Sequence, residues 1–133
     1  MTGTQASVHR RWKRRPTPAQ VANHIDKLLR GSAEHAARRD TEAAWQLLED
    51  AHILSQPWVR PHLRVHLAML SLGWSQRDRA EVVGQVARLI VAGPGSALGR
   101  YPAGNTGRAN VSAIEPMPIR TDLASILEDA KQT

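Results

Sequence analysis

The stretch AHILSQPWVRPHLRVHLAML, residues 51–70, decides the fold. Read backwards from its first half, Leu54, Ala51, Leu48, Leu47 and Ala44 recur at helical spacing as far as Asp40, a favoured N-cap residue. A helix is therefore expected from about Asp40 to Gln56. QPWVRP then turns the chain. Pro61 is read as the first helical position, where a missing N–H loses nothing, and HLRVHLAMLSLGW carries a second helix to about Gln76. The unit expected is an antiparallel helical hairpin.

Three histidines lie in that hairpin. At about 100° per residue, His62 and His66 point the same way as Met69 and Gly73, opposite Arg60, Arg64 and Ser71, so both face inward. Counted outward from a turn centred near Trp58, His52 comes level with residue 64, between them. Glu49 stands one turn before His52 and completes a Glu-x-x-His spacing of the kind used by metal-binding bundles. Burying imidazole nitrogens without partners costs about 1–3 kcal/mol each, so something must satisfy them. One solution is a divalent transition metal (zinc, iron or copper) on Glu49, His52, His62 and His66. The other is a hydrogen-bonded network of the histidines with the backbone of a covering loop containing GNTG. Gln56, Asn105 and Thr106 are further candidates for this site.

Outward from the hairpin, Val21, Ile25, Leu28 and Leu29 give helical spacing after Pro18, with Thr17 as the expected cap. Gly31 and Ser32 weaken but do not end this helix, which is read as one element to Arg39. Asp78 opens a fourth main helix running to Gly93. Its apolar face is read as Val82, Val86 and Leu89, which makes Glu81 a capping partner and places Gln85 on the flank. RRDTEAAW and QRDRAEVV start alike about 38 residues apart, a spacing seen in paired-helix repeats. Residues 93–119 hold five glycines and four prolines and form an expected covering loop, laid down through Val111, Ile114, Met117 and Ile119. RTDLASILEDA, at 120–130, makes a short closing helix. The whole is an all-α domain over 17–133, four main helices in antiparallel hairpins, preceded by a basic arm over 1–16.

Charge and composition exclude much. The formal charge of +6 comes largely from HRRWKRRP, whose five basic residues leave 13 basic against 12 acidic elsewhere. Contact of residues 10–15 with nucleic acid would be weak, non-specific and not the favoured reading. No cysteine is present, so thiol catalysis and thiolate metal sites are out. The longest apolar run, VARLIVAG, is far short of the ~20 residues of a membrane span, and PTPAQVANHID after the arginines is no export signal, so a cytoplasmic protein is expected. GPGSALG lacks the ending of a phosphate loop, which argues against a nucleotide, and Ser55 beside His52 has no oxyanion hole. Trp45 and Trp74 are expected in the core, Trp12 and Trp58 at the surface.

The strings AHILSQ, GNTGRANVSAIEPMPI and DLASIL, in that order, resemble the bacterial family catalogued as domain-of-unknown-function 3703, from about Ala33 to Leu127. The family's usual string resembles AHILGQ, and Ser55 here stands at its glycine. The resemblance implies a class and no mechanism. Two functional readings follow from the residues: a metal-binding protein built on the histidines, or a metal-free structural or partner-binding helical module, with Trp58 and Arg60 as the contact to an unidentified protein.

Overall fold

Asp40 and Asp78 each close a tight turn and start a helix. The computed structural model describes residues 16–132, and among these every regular element is helical: α1 (Ala19–Ala37), α2 (Thr41–Ser55), α3 (Val59–Ser75), α4 (Arg79–Ala97) and α5 (Thr121–Gln132). The chain is thus all-α, as its periodicity indicates. The expected basic arm falls almost wholly outside the described residues, as do Trp12, His9 and the basic cluster at 10–15.

Both turns are built alike. Asp40 N–H donates to His35 O (2.9 Å) and Arg39 N–H to Ala36 O (3.0 Å); Asp78 N–H donates to Gly73 O (3.0 Å) and Arg77 N–H to Trp74 O (3.0 Å). Arg39 and Arg77 have φ of 62° and 56°, the left-handed position of a Schellman motif. Each aspartate then caps the following helix, Asp40 Oδ1 accepting from Ala43 N–H (3.3 Å) and Asp78 Oδ1 from Glu81 N–H (3.0 Å). The sequence likeness at a 38-residue interval is therefore a repeated turn.

Within α1, Gly31 and Ser32 serve close packing. Ser32 Oγ donates to Ala44 O (2.9 Å) while buried, and a Cβ on Gly31 would stand 3.1 Å from Leu47 Cδ1. α1 lies closely on α2, α3 lies closely on α4, and α2 and α3 join the two pairs; α5 packs on α1 and α2. The core is Val21, Ile25, Trp45, Leu48, Leu54, Val65, Met69 and Leu123. Thr17 does not cap α1, since Pro18 occupies the N-cap with no side-chain bond.

Three expectations need correction. α4 does not stop at Gly93: Pro94 lies inside it, since proline's fixed φ is helical and its ring forfeits one hydrogen bond. The stop is Gly99, at φ 64°, with Arg100 N–H donating to Gly95 O (2.8 Å), so the irregular segment spans 98–120 rather than 93–119. The inward face of α4 is Glu81, Gln85 and Ala92, while Val83 and Val86 are exposed. Trp74 is 73% exposed, whereas Trp58, expected at the surface, is buried in the turn at 5%. No helix among the described residues is long and apolar enough to cross a membrane.

Candidate metal centre

The end of α2 supplies His52 and the first turns of α3 supply His62 and His66, with 62 and 66 one turn apart on the inner face. The three-residue turn at 56–58 brings the two helix ends together. All three side chains are buried, at 3%, 5% and 2% exposure. His52 Nε2 lies 3.0 Å from His62 Nε2 and 3.2 Å from His66 Nε2, and every pair of ring centroids is 4.7–4.8 Å apart. One ligand nitrogen from each falls within 4.8 Å of the others. The level at which sequence counting places His52, between His62 and His66, is the level observed.

The outer nitrogens are tied down. His52 Nδ1 is 2.7 Å from Asn105 O, and His66 Nδ1 is 2.7 Å from Gln85 Oε1. The Gln85 amide is itself oriented, because its Nε2 donates to Glu81 Oε1 (2.6 Å) and to Gly107 O (2.8 Å), which leaves Oε1 for the histidine. Carbonyl oxygens accept only, so neutral His52 and His66 must carry their protons on Nδ1. Their Nε2 lone pairs then face each other across 3.2 Å with no hydrogen between them. His62 has one ring N–H at most, when neutral, and can satisfy one of those lone pairs but not both. A cation at the convergence point satisfies all three at once. Three imidazoles on a tetrahedral ion at about 2.0–2.1 Å have nitrogens about 3.3 Å apart; the two separations from His52 Nε2 are within a few tenths of that, and the ligand atoms of all three lie within 4.8 Å of one another.

Electrostatics keeps the lone pairs available. Burial, then the neighbouring imidazoles His62 and His66, holds His52 well below the ordinary histidine range. Burial, then His66, lowers His62 to about 3. His66 is lowered by burial, partly offset by its hydrogen bond to Gln85. The triad is neutral at neutral pH.

The loop after α4 roofs the site, and Gln56, the residue that caps the end of α2, grips it. Gln56 Nε2 donates to Pro102 O (2.8 Å) and Gln56 Oε1 accepts from Gly104 N–H (3.1 Å). Asn105 organises the loop from within, its Nδ2 donating to Ser112 O and Glu115 O (2.8 Å each) and its Oδ1 accepting from Gly107 N–H (2.9 Å). The left-handed positions in GNTG are Gly104 (φ 79°) and Gly107 (φ 80°). A Cβ on Gly107 would lie 2.6 Å from His52 Cδ2, so the roof touches the ring itself. Thr106 makes a local turn contact, its Oγ1 3.5 Å from Arg108 N.

Glu49 is not brought to the triad. Its Oε1 lies 3.3 Å from Arg108 Nη1, and burial raises its carboxyl pKa against the pull of that guanidinium. Arg108 also donates to Glu81 Oε2 (3.1 Å) and covers the Trp45 ring at 3.8 Å. The Glu-x-x-His spacing is real, but the arginine captures the carboxylate. Gln85, Glu81 and Arg108 are the site residues that periodicity missed. The signal was present: Glu81 and Gln85 sit one turn apart, and the apolar residues beside them hid that polar face. Of the proposed partner contact, Arg60 is exposed and Trp58 is not. His35 pairs with Asp40 at 3.0 Å, away from the triad.

A family profile described as "Protein of unknown function (DUF3703)" matches residues 19–127. No curated protein and no solved structure matches the chain.

Proposed function

The chain belongs to the DUF3703 family, and we propose that its matched domain is a small cytoplasmic metal-binding protein, holding one divalent transition ion (zinc, iron or copper) on His52, His62 and His66. The observation that carries this reading is the pair of Nε2 lone pairs facing each other at 3.2 Å while both Nδ1 atoms are engaged by carbonyl oxygens. Neutral imidazole suits all three metals, and such outer hydrogen bonds orient ligating histidines and raise their basicity. Held by three protein nitrogens, the ion would keep a coordination position open for water or another ligand. Asn105, Gln85 and Glu81 would serve as supports, and Glu49 as the partner of Arg108.

The test is elemental analysis of untagged protein dialysed against each metal in turn, beside the double variant His62→Ala, His66→Ala. The expected result is one ion per wild-type chain for at least one metal and none retained by the variant. Equal retention by both, or none by either, would overturn the reading.

A metal-free module that docks on another protein is the second reading. It is favoured by exposed Trp74 (73%), Val83 (68%) and Ile90 (72%) on α3 and α4, which displace Trp58 as its anchor. Under it, Trp74→Ala abolishes binding to a partner whose capture is indifferent to the histidines.

A further inference from the structure

A cavity of about 500 Å³ opens onto the triad. Its lining includes His52, His62 and His66 at one end, Arg88 and Arg100 with no aspartate or glutamate, and apolar surface from Val91, Ala92 and Ile114. That is a positively charged, mostly greasy pocket of a size usual for small ligands.

Arg88 is the informative member. Its Nη1 and Nη2 donate to Gly84 O (3.3 Å) and Val111 O (2.7 Å), which holds the guanidinium between α4 and the covering loop. Both acceptors are neutral, so they position the charge without cancelling it. The ion pairs among the described residues leave Arg88 out; Glu81, whose charge acts on it, has its oxygens already taken by Arg108, the Ala109 N–H and Gln85. Arg88 lines the same cavity as His52, His62 and His66, which places it beside the triad, and burial disfavours its charge. A half-buried cation next to a cluster that is neutral, or cationic once an ion is bound, lacks its counter-charge.

We propose that the cavity receives a small organic monocarboxylate, its head against Arg88 beside the triad and its hydrocarbon body along Val91, Ala92 and Ile114. A planar carboxylate matches a guanidinium fork, and one oxygen could fill the coordination position left open by three histidines. The apolar walls select a carbon chain over a bare inorganic anion. The coordination step rests on the metal reading; the pairing with Arg88 does not.

The probe is hexanoate, followed by isothermal titration, with hexanol and hexylammonium as the uncharged and oppositely charged controls. Zinc-loaded and chelator-stripped protein are compared, with metal content measured on the same samples. Hexanoate is expected to bind the loaded protein at least about tenfold more tightly than either control, and Arg88→Met to weaken it by about tenfold or more. Because Arg88 also ties the loop to α4, a second variant, Ile114→Trp, fills the mouth from a side chain that is 84% exposed; it should keep the wild-type melting temperature and lose hexanoate binding. Hexanol binding as well as hexanoate, or both variants binding as wild type, overturns the proposal. A chain that holds one ion and ignores hexanoate loses this inference alone, whereas one that holds no ion and still binds hexanoate through Arg88 loses only the metal centre.

Discussion

His52 shows how one backbone contact sets the chemistry of a side chain. Its Nδ1–H is committed to Asn105 O at 2.7 Å, so its Nε2 is left as a bare acceptor aimed at two other imidazoles. Gln85 does the same for His66, and Gln85→Leu leaves that Nδ1 and the Gly107 carbonyl unsatisfied. The expected cost is about 1–3 kcal/mol in denaturant unfolding, with metal affinity about 10–100-fold lower in chelator competition. Gly107→Ala fails differently: its Cβ would lie 2.6 Å from His52 Cδ2 at a φ of 80°, so it should destabilise by more than ~1 kcal/mol and displace the ring, lowering metal affinity as well. Acid reads the same nitrogens. His62 titrates at about 3 in the fold and near its ordinary 6.5 when unfolded, so the unfolded chain binds more protons between those values. Its contribution is complete above about pH 6.5 and is lost as pH falls towards about 3, by up to ~1.4 kcal/mol per unit for one group. His52 and His66 act in the same direction, though not additively, because the first charge opposes the next. Melting curves from neutral pH to about pH 5 should fall steeply for wild type and shallowly for His62→Ala, His66→Ala, with bound metal released over the same range; equal slopes would remove the histidines as the cause.

At the scale of elements, the two Schellman turns hold arginine where glycine is favoured. Arg39 and Arg77 sit at φ of 62° and 56°, a region that strains a residue bearing a Cβ. Arg39→Gly and Arg77→Gly should each stabilise by about 0.5–1 kcal/mol, read as a rise in denaturation midpoint at constant slope. A loss instead would mean that the arginine side chains contribute more to those turns than the strain removes. These turns also show what patterning reveals. Asp40 and Asp78 were legible as caps because the N-cap preference is chemical and local. The end of α4 was not, because Gly93–Pro94 has the composition of a stop while the helix terminates at Gly99. The inward face of α4 was misjudged for a related reason: hydrophobic periodicity assigns valines to the inside, but the buried acceptors and donors around His66 and Arg108 draw Glu81 and Gln85 there instead.

At the scale of the molecule, two packed helix pairs meet at the α2–α3 turn, and the loop from 98 to 120 closes over that meeting point, so the histidines lie where three segments converge. The hairpin and its inward histidines were legible from spacing because helical geometry is regular; Arg108, twenty-seven residues beyond Glu81, was not, since no local pattern reports where an irregular loop returns. That loop supplies the carbonyl of Asn105, the roof at Gly107 and the arginine that draws Glu49 away. The central claim is that His52, His62 and His66 jointly hold one ion, and X-ray absorption at the zinc edge of the stoichiometric complex addresses it directly. Three imidazole nitrogens at about 2.0–2.1 Å are expected in wild type, falling to two in His66→Ala. A wild-type spectrum with fewer than three imidazoles, or one unchanged by His66→Ala, would contradict it.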